Sequence, residues 1–253
     1  MKILSEKLLC EKRARYHGGI YHKLQIDLAY NSNHIEGSKL SYDQTRYIYE
    51  TRTIDAKNTP VNDIIETVNH FRCFDYVLDT LSQPLTEEYI KRLHKMLKSG
   101  VLADEDFIVI GDYKSEANIV GEIKTAAPDE VADRMKKLLD RHYGKQMSFY
   151  DIVSFHAEYE KIHPFYDGNG RTGRLIMLKQ CLENNIVPFN IDEHHKMYYY
   201  MGLKEWQTEE KKNRLIDVFL SAQDDMKVIL DYFHIDYDHT ELTCRDVLAM
   251  VQD

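Results

Sequence analysis

Cysteine, proline and glycine are scarce in this chain: 4, 5 and 11 among 253 residues. Cys10, Cys73, Cys181 and Cys244 stand singly, so no CxxC pair offers a zinc or dithiol site, and reduced thiols are expected. So few chain breakers, with no internal repeat, leave room for long helices joined by short connections, and an all-α fold is expected. No apolar run approaches the ~20 residues that span a bilayer. The opening MKILSEKLLC interrupts its apolar residues with Glu6 and Lys7, so neither a membrane partner nor a signal segment is expected, and a cytoplasmic protein is. A basic excess is missing as well. The 33 Lys and Arg against 42 Asp and Glu give a formal net charge of −9, which argues against nucleic acid as the main partner while permitting a local cationic pocket. What remains, 43% hydrophobic and 30% charged, is the balance of a chain that buries a core.

Capping signals place the helices. Thr59 and Pro60 open one that carries Val61, Ile64, Val68, Phe71 and Leu78 at helical spacing. Thr86, with Glu87 and Glu88 in the first turn, opens a second that runs through Ile90, Leu93 and Leu97 to a stop at Gly100. Pro128 starts a third that ends at Gly144, and Ser148 caps a fourth with Ile152, Phe155 and Tyr159 inward. Further helices are expected at 171–184, 192–207 and 211–233, with a short last one after 239. From Phe107 to Lys124, β-branched residues flank Gly111 and Gly121 without a helical period, which predicts a lone β-hairpin. Two strands are marginal alone in water, so the hairpin must lean on helices or on something it covers. It is a candidate flap.

The chemistry concentrates in Ile162-His163-Pro164-Phe165-Tyr166-Asp167-Gly168-Asn169-Gly170-Arg171-Thr172-Gly173-Arg174. A helix ends at a histidine, proline forbids its continuation, and Gly-Asn-Gly leads into the next helix. Such a turn presents consecutive backbone N–H groups at a positive helix terminus, where phosphate oxygens bind. Arg171 and Arg174 are three apart and project from one face, as an anion clamp requires. Asp167 is placed to hold a divalent cation beside phosphates, and His163 can act as a general base near neutral pH. Gly-Asn-Gly alone is usually only a turn, and an arginine pair is usually a solvated face. Their conjunction with His163 and Asp167 points to a nucleoside triphosphate.

His-Pro-Phe-x-Asp-Gly-Asn-Gly-Arg-x-x-Arg resembles in full the signature of the Fic family of protein adenylyltransferases, and the resemblance extends over about Leu85–Ser221. It implies an all-α Fic helical core with a small β-hairpin flap over the active site. It further implies that His163 deprotonates a target hydroxyl, that Asp167 holds Mg²⁺ (or Mn²⁺), and that ATP is held by Gly168, Asn169, Gly170, Arg171, Thr172, Gly173 and Arg174. GDYKSEANIVGEIKTAAPDEV resembles the family's flap, so Val120, Gly121, Glu122 and Ile123 would hold the acceptor segment by strand addition. Lys114 stands where the family usually has arginine. Tyr199, Tyr200 and Gln207 resemble the nucleotide-pocket helix, although Tyr198, Tyr199 and Tyr200 could equally be core packing. His156 shares a helical face with His163 and reads as a buried support. His194 and His195 have no Cys or carboxylate partner at ligand spacing.

Ser32-Asn33-His34-Ile35-Glu36-Gly37 resembles the family's inhibitory signature, in a helix of about 24–37. Ser32 and Glu36 share a helical face, Gly37 would end the helix, and the natural partner of Glu36 is Arg174. The organisation implied is 1–84 as an N-terminal helical region carrying this helix, 85–221 as the catalytic domain and 222–253 as a C-terminal extension. The function implied is a self-inhibited nucleotidyltransferase that moves AMP from ATP to Ser, Thr or Tyr hydroxyls of target proteins, and of itself, with a homo-oligomer as a possible state. Two alternatives remain open at this stage: a de-AMPylase that uses Glu36 as base, and a regulatory module that binds nucleotides without turnover.

Overall fold

The computed structural model describes residues 3–54, 58–102, 109–121 and 123–251. In chain order the helices are α1 (Ile3–Ala14), α2 (Ile20–Ile35), α3 (Tyr42–Thr51), α4 (Val61–Asp79) and α5 (Glu87–Lys98). A hairpin of β1 (Ile119–Val120) and β2 (Ile123–Lys124) follows. Then come α6 (Pro128–His142), α7 (Phe149–Ile162), α8 (Asn169–Asn184), α9 (Glu193–Glu209), α10 (Asn213–Tyr232) and α11 (Cys244–Ala249).

Local chemistry sets most of these boundaries. Thr86 caps α5 by accepting from the Tyr89 N–H at 3.1 Å, and Ser148 and Asp151 close a reciprocal capping box on α7. Pro128 occupies the first turn of α6. At α4 the expectation needs correcting: Pro60 is the residue before the first turn and no side chain caps the helix. The helix expected from 171 starts at Asn169, because Gly168 at φ +79° is its N-cap and Gly-Asn-Gly is the helix entry rather than a separate turn.

The hairpin is shorter than expected. Its register pairs Ile119 with Lys124 and Val120 with Ile123 around Gly121. Val109 and Ile110 lie outside any strand, because Gly111 turns the backbone at φ +84°. Phe107, Ile108 and Glu122 lie outside the described residues.

Helix α8 is the central strut. Every residue from Arg171 to Leu182 is buried, with α2, α4, α5 and α7 packed around it, so its polar residues Arg171, Arg174 and Lys179 must find partners inside the protein. The main core runs from end to end, with Leu8 and Leu24 from the N-terminal helices, Phe155 and Ile176 from α7 and α8, and Met226 and Val247 from the C-terminal ones, while Ala29, Leu40, Ile48 and Phe71 form a smaller second cluster. The expected boundary at 221/222 falls inside the continuous α10.

Candidate active site

The end of α7 is built to present His163. Its backbone is left-handed, at φ 52°, ψ 63°, and Pro164 prevents another helical turn. The following loop is bolted from two sides. Asn169 clamps Phe165, accepting from its N–H and donating to its carbonyl, both at 2.8 Å. His94 from α5 stacks on the Phe165 ring at 3.7 Å and 3°. Burial pushes the His94 imidazole down to about 4, so it is neutral. Its Nδ1 accepts from the Gly111 N–H at 3.0 Å and its Nε2 donates to the Asp167 carbonyl at 2.9 Å. One tautomer satisfies both bonds.

Burial also pushes His163 down to about 4, with the Lys114 ammonium acting in the same direction. The imidazole is therefore uncharged at neutral pH and free to take a proton. Lys114, which replaces the arginine of the resemblance, is itself buried. Its ammonium donates to Asn118 Oδ1 at 2.8 Å, Thr125 Oγ1 at 2.7 Å and the Ile162 carbonyl at 3.5 Å. A lysine thus ties the base of the hairpin to the end of α7.

The first turn of α8 supplies N–H groups without intrahelical acceptors at the positive end of the dipole. Gly170 leaves this turn open: a Cβ there would lie 2.2 Å from Glu36 Oε1 and 3.0 Å from Arg174 Nη1. The Glu36 carboxylate, at the C-cap of α2, rests in that opening. Arg174 Nη2 donates to it at 2.6 Å and to the Ser32 carbonyl at 2.9 Å, while Nε donates to Ser32 Oγ at 3.0 Å. Burial disfavours the guanidinium charge, but Glu36, with Tyr199 and Tyr200 acting in the same direction, holds its pKa above the ordinary value.

A second ionic chain runs beside the first. Arg171 pairs with Glu66 of α4 and, at 3.4 Å, with Asp167 Oδ1. The Lys98 ammonium lies between Glu66 and Asp167 Oδ2. Burial raises the Asp167 pKa, yet Arg171 and Lys98 together lower it to about 2. Asp167 is thus ionised and half-exposed, able to offer one hard oxygen to a cation whose remaining ligands are phosphate and water.

Of the sequence-derived set, His163, Asp167, Gly168, Gly170, Arg171, Arg174, Ser32 and Glu36 converge here. Asn169 contributes only backbone, since its side chain clamps the loop. Thr172 is wholly buried. Gly173 is a packing glycine, whose Cβ would lie 2.8 Å from Glu160 Oε1 and 3.1 Å from Tyr159 Cδ1. Tyr199 is buried, with its hydroxyl 2.7 Å from His156 Nε2. Gln207 donates to the Ala157 carbonyl at 3.3 Å, tying α9 to α7. Tyr200 lies nearer the site, its hydroxyl donating to the Ile35 carbonyl at 3.4 Å. His195 corrects the expectation of no carboxylate partner: Asp192 Oδ1 lies 2.7 Å from its Nδ1 and Asp225 Oδ2 lies 3.7 Å from its Nε2. Among the described residues that trio is the one group of three or more at metal-ligand spacing, and it belongs to α9 and α10 rather than to this site.

Glu66, Lys98, His94 and the half-buried Glu160 were not singled out from the sequence. A signal existed for the first three. His94 and Lys98 interrupt the apolar stripe of Ile90, Leu93 and Leu97, and Glu66 and His70 stand four apart on α4. Polar residues on a stripe facing the core need partners.

Residues 84–181 match the sequence profile of the Fic/DOC family. The chain carries a Fic domain. Around this Fic domain, 182 residues are 31% identical to Protein adenylyltransferase Fic of Drosophila willistoni, covering 69% of this chain and 35% of that one. A further 29% identity over 203 residues links it to Protein adenylyltransferase Fic of Aedes aegypti, covering 78% and 39%. The chain therefore spans well under half the length of these curated relatives. The Fic fold extends beyond the profile. A Fic domain containing signaling protein from Bacteroides thetaiotaomicron VPI-5482 superposes with a TM-score of 0.67 at 22% identity, over 96% of this chain and 94% of the other. Fic-1 (aa134–508) of C. elegans does so with a TM-score of 0.69 at 17% identity, over 91% and 73%.

Proposed function

We propose that this chain is a self-inhibited protein adenylyltransferase that moves AMP from ATP to Ser, Thr or Tyr hydroxyls of target proteins and of itself. In this reading, His163 removes the proton of the incoming hydroxyl as its oxygen attacks the α-phosphorus. The bond to the bridging oxygen breaks and pyrophosphate departs. The open amides of the α8 first turn and Arg171 hold the phosphates, and Arg174 binds the γ-phosphate and so aligns the α-phosphate. Mg²⁺ or Mn²⁺ at Asp167 would neutralise phosphate charge when bound. Val120, Gly121, Glu122 and Ile123 form a flap that seats the acceptor segment by strand pairing. Tyr200 lines the nucleotide side.

The observation that carries the reading is the three-bonded Arg174, which is held by Ser32 and Glu36. While Glu36 occupies it, the γ-phosphate cannot, and ATP sits out of line. The N-terminal region 1–84 then acts as the lock, 85–221 as the catalytic part and 222–253 as an extension that completes the core.

The test incubates wild type and Glu36→Gly with ATP labelled at either the α- or the γ-phosphate, with intact-mass analysis of the chain and of added protein acceptors. Incorporation of α-label without γ-label, higher in the variant, is the expected result. Loss of pre-attached AMP from an acceptor, dependent on Glu36, would instead make the chain a de-AMPylase. ATP binding without incorporation would leave it a regulatory module.

A further inference from the structure

Between Glu66 and Asp167 stands a side-chain cation. Lys98 is the last residue of α5, and its ammonium donates both to Asp167 Oδ2 and to Glu66 Oε1. Two carboxylates that converge on one cation are the arrangement by which oxygen ligands hold a hard divalent ion, but here the cation belongs to the chain. The remaining oxygens are also taken. Glu66 Oε2 pairs with Arg171, and Asp167 Oδ1 accepts from the Gly168 N–H at 2.6 Å and from Arg171 Nη2 at 3.4 Å. Two negative and two positive side chains thus cancel.

Lys98 is held in place. Its side chain is 9% exposed, against 54% for that of Asp167, so the ammonium sits behind the carboxylate as seen from solvent. Its stem runs beneath the α8 entry, where a Cβ on Gly168 would lie 3.3 Å from Lys98 Cδ. Asn69 of α4 pins the helix end that carries it, donating to the Leu97 carbonyl at 3.0 Å and the Ser99 carbonyl at 2.7 Å. An ammonium fixed at this point repels any second cation that approaches Asp167. At such separations one unit charge changes the affinity for a divalent ion by about tenfold even with the screening of bulk water, and by more in a partly buried site.

Resting on the reading of Asp167 as the metal-binding acid, we propose that Lys98 is a positioning residue that takes the cation place between Glu66 and Asp167 in the free chain, keeps a divalent metal out, and admits one only together with a nucleotide. The triphosphate supplies the negative charge and the oxygen ligands that Glu66 and Asp167 have already committed to Lys98 and Arg171. Metal and nucleotide therefore enter as one complex. Glu66 is part of the same device, since it holds the ammonium against Asp167 from the side away from solvent.

The test titrates the intact, nucleotide-free chain with Mn²⁺, counts bound ion by the loss of the free-ion electron spin resonance signal, and takes the part of the binding that Asp167→Asn removes. Wild type is expected to show no such part at submillimolar Mn²⁺. Lys98→Met and Lys98→Gln should gain it, with affinity raised at least about tenfold, while Lys98→Arg, which keeps the charge, should behave as wild type. Asp167-dependent uptake of Mn²⁺ by the nucleotide-free wild type would overturn the proposal, and that result does not depend on how any Lys98 variant folds. Lys98→Met and Lys98→Gln chains that unfold cooperatively on heating yet bind Mn²⁺ no tighter than wild type would overturn it too. The reading of Asp167 is checked separately in the Glu36→Gly chain, by water-proton relaxation with Mn²⁺ and an α,β-methylene analogue of ATP, which cannot transfer AMP. Asp167→Asn should lose that ternary signal. An unchanged signal would bring down the metal reading and the proposal together, whereas the nucleotide-free outcomes above would bring down the proposal alone.

Discussion

A neutral imidazole held at the end of α7 makes definite kinetic predictions. His163→Ala should lower transfer by ~10²–10⁴ and leave ATP affinity nearly unchanged, which labelling and calorimetry together would check. Because the His163 pKa is lowered to about 4 even with Glu36 raising it, the acid limb of kcat/KM for the acceptor at saturating ATP in Glu36→Gly should fall no higher than that value and not near the ordinary histidine value of about 6.5. An acid limb at ordinary histidine pH would show that His163 is not in the buried environment described. Gly170 offers a second residue-level test. Gly170→Ala should destabilise the wild type by about 1–3 kcal/mol in urea unfolding, because its Cβ collides with the Glu36 carboxylate. In a Glu36→Gly background the cost should largely vanish. The meeting of His163, Asp167 and Arg174 was legible because they sit in one short segment whose order implies a helix end and a helix start. Glu66 and Lys98 were not, because their meeting with Asp167 and Arg171 depends on how α4 and α5 pack against α8. For Asn169 the residue was legible but its job was not: nothing in Gly-Asn-Gly tells whether the amide faces phosphate or its own loop.

The hairpin shows what one anchor does for an element. Two paired residues per strand cannot hold it in water, so its position rests on Lys114 and on Asn118, which reaches the Phe165 carbonyl at 3.3 Å. Lys114→Met should therefore speed amide hydrogen exchange across 119–124 and lower transfer to protein acceptors, while ATP binding is unchanged. Unaltered exchange would leave the anchor without a function. From α4 to α10 the helices were readable from caps and periodicity to within about two residues, α5, α6 and α7 carrying their own start signals, whereas the helix expected at about 24–37 runs Ile20–Ile35 and neither α1 nor α3 was placed. The hairpin's length was not readable, since the β-branched Val109 and Ile110 look like strand residues until Gly111 turns toward His94.

Over the molecule as a whole, the notable titratable group is Glu160, half-buried as a residue but with its Oε1 shut off from solvent and without a partner among the described residues. Burial raises its pKa from 4.5 to about 8. The folded state therefore holds a proton that the unfolded state has released between these values, so stability should fall as pH rises from about 4.5 to about 8 and level off above. Glu160→Gln keeps the shape and cannot ionise. Its stability advantage over wild type should be small at pH 5 and reach a few kcal/mol by pH 9, read from thermal unfolding across pH. Parallel curves would place the Glu160 pKa near its ordinary value.

The ion pairs around the α8 entry have a consequence for encounter rates. Glu36, Glu66 and Asp167 face Lys98, Arg171 and Arg174, three carboxylates against three cations, with His163 uncharged. Seen from solvent, these six paired charges cancel and by themselves exert little pull on a polyanion. Removing the Glu36 charge leaves an excess of one positive charge, so a fluorescent ATP analogue should associate faster with Glu36→Gly. That advantage should shrink as salt rises and the Debye length falls below about 10 Å. Stopped-flow association at low and high salt would show whether the lock also hides the site from its substrate.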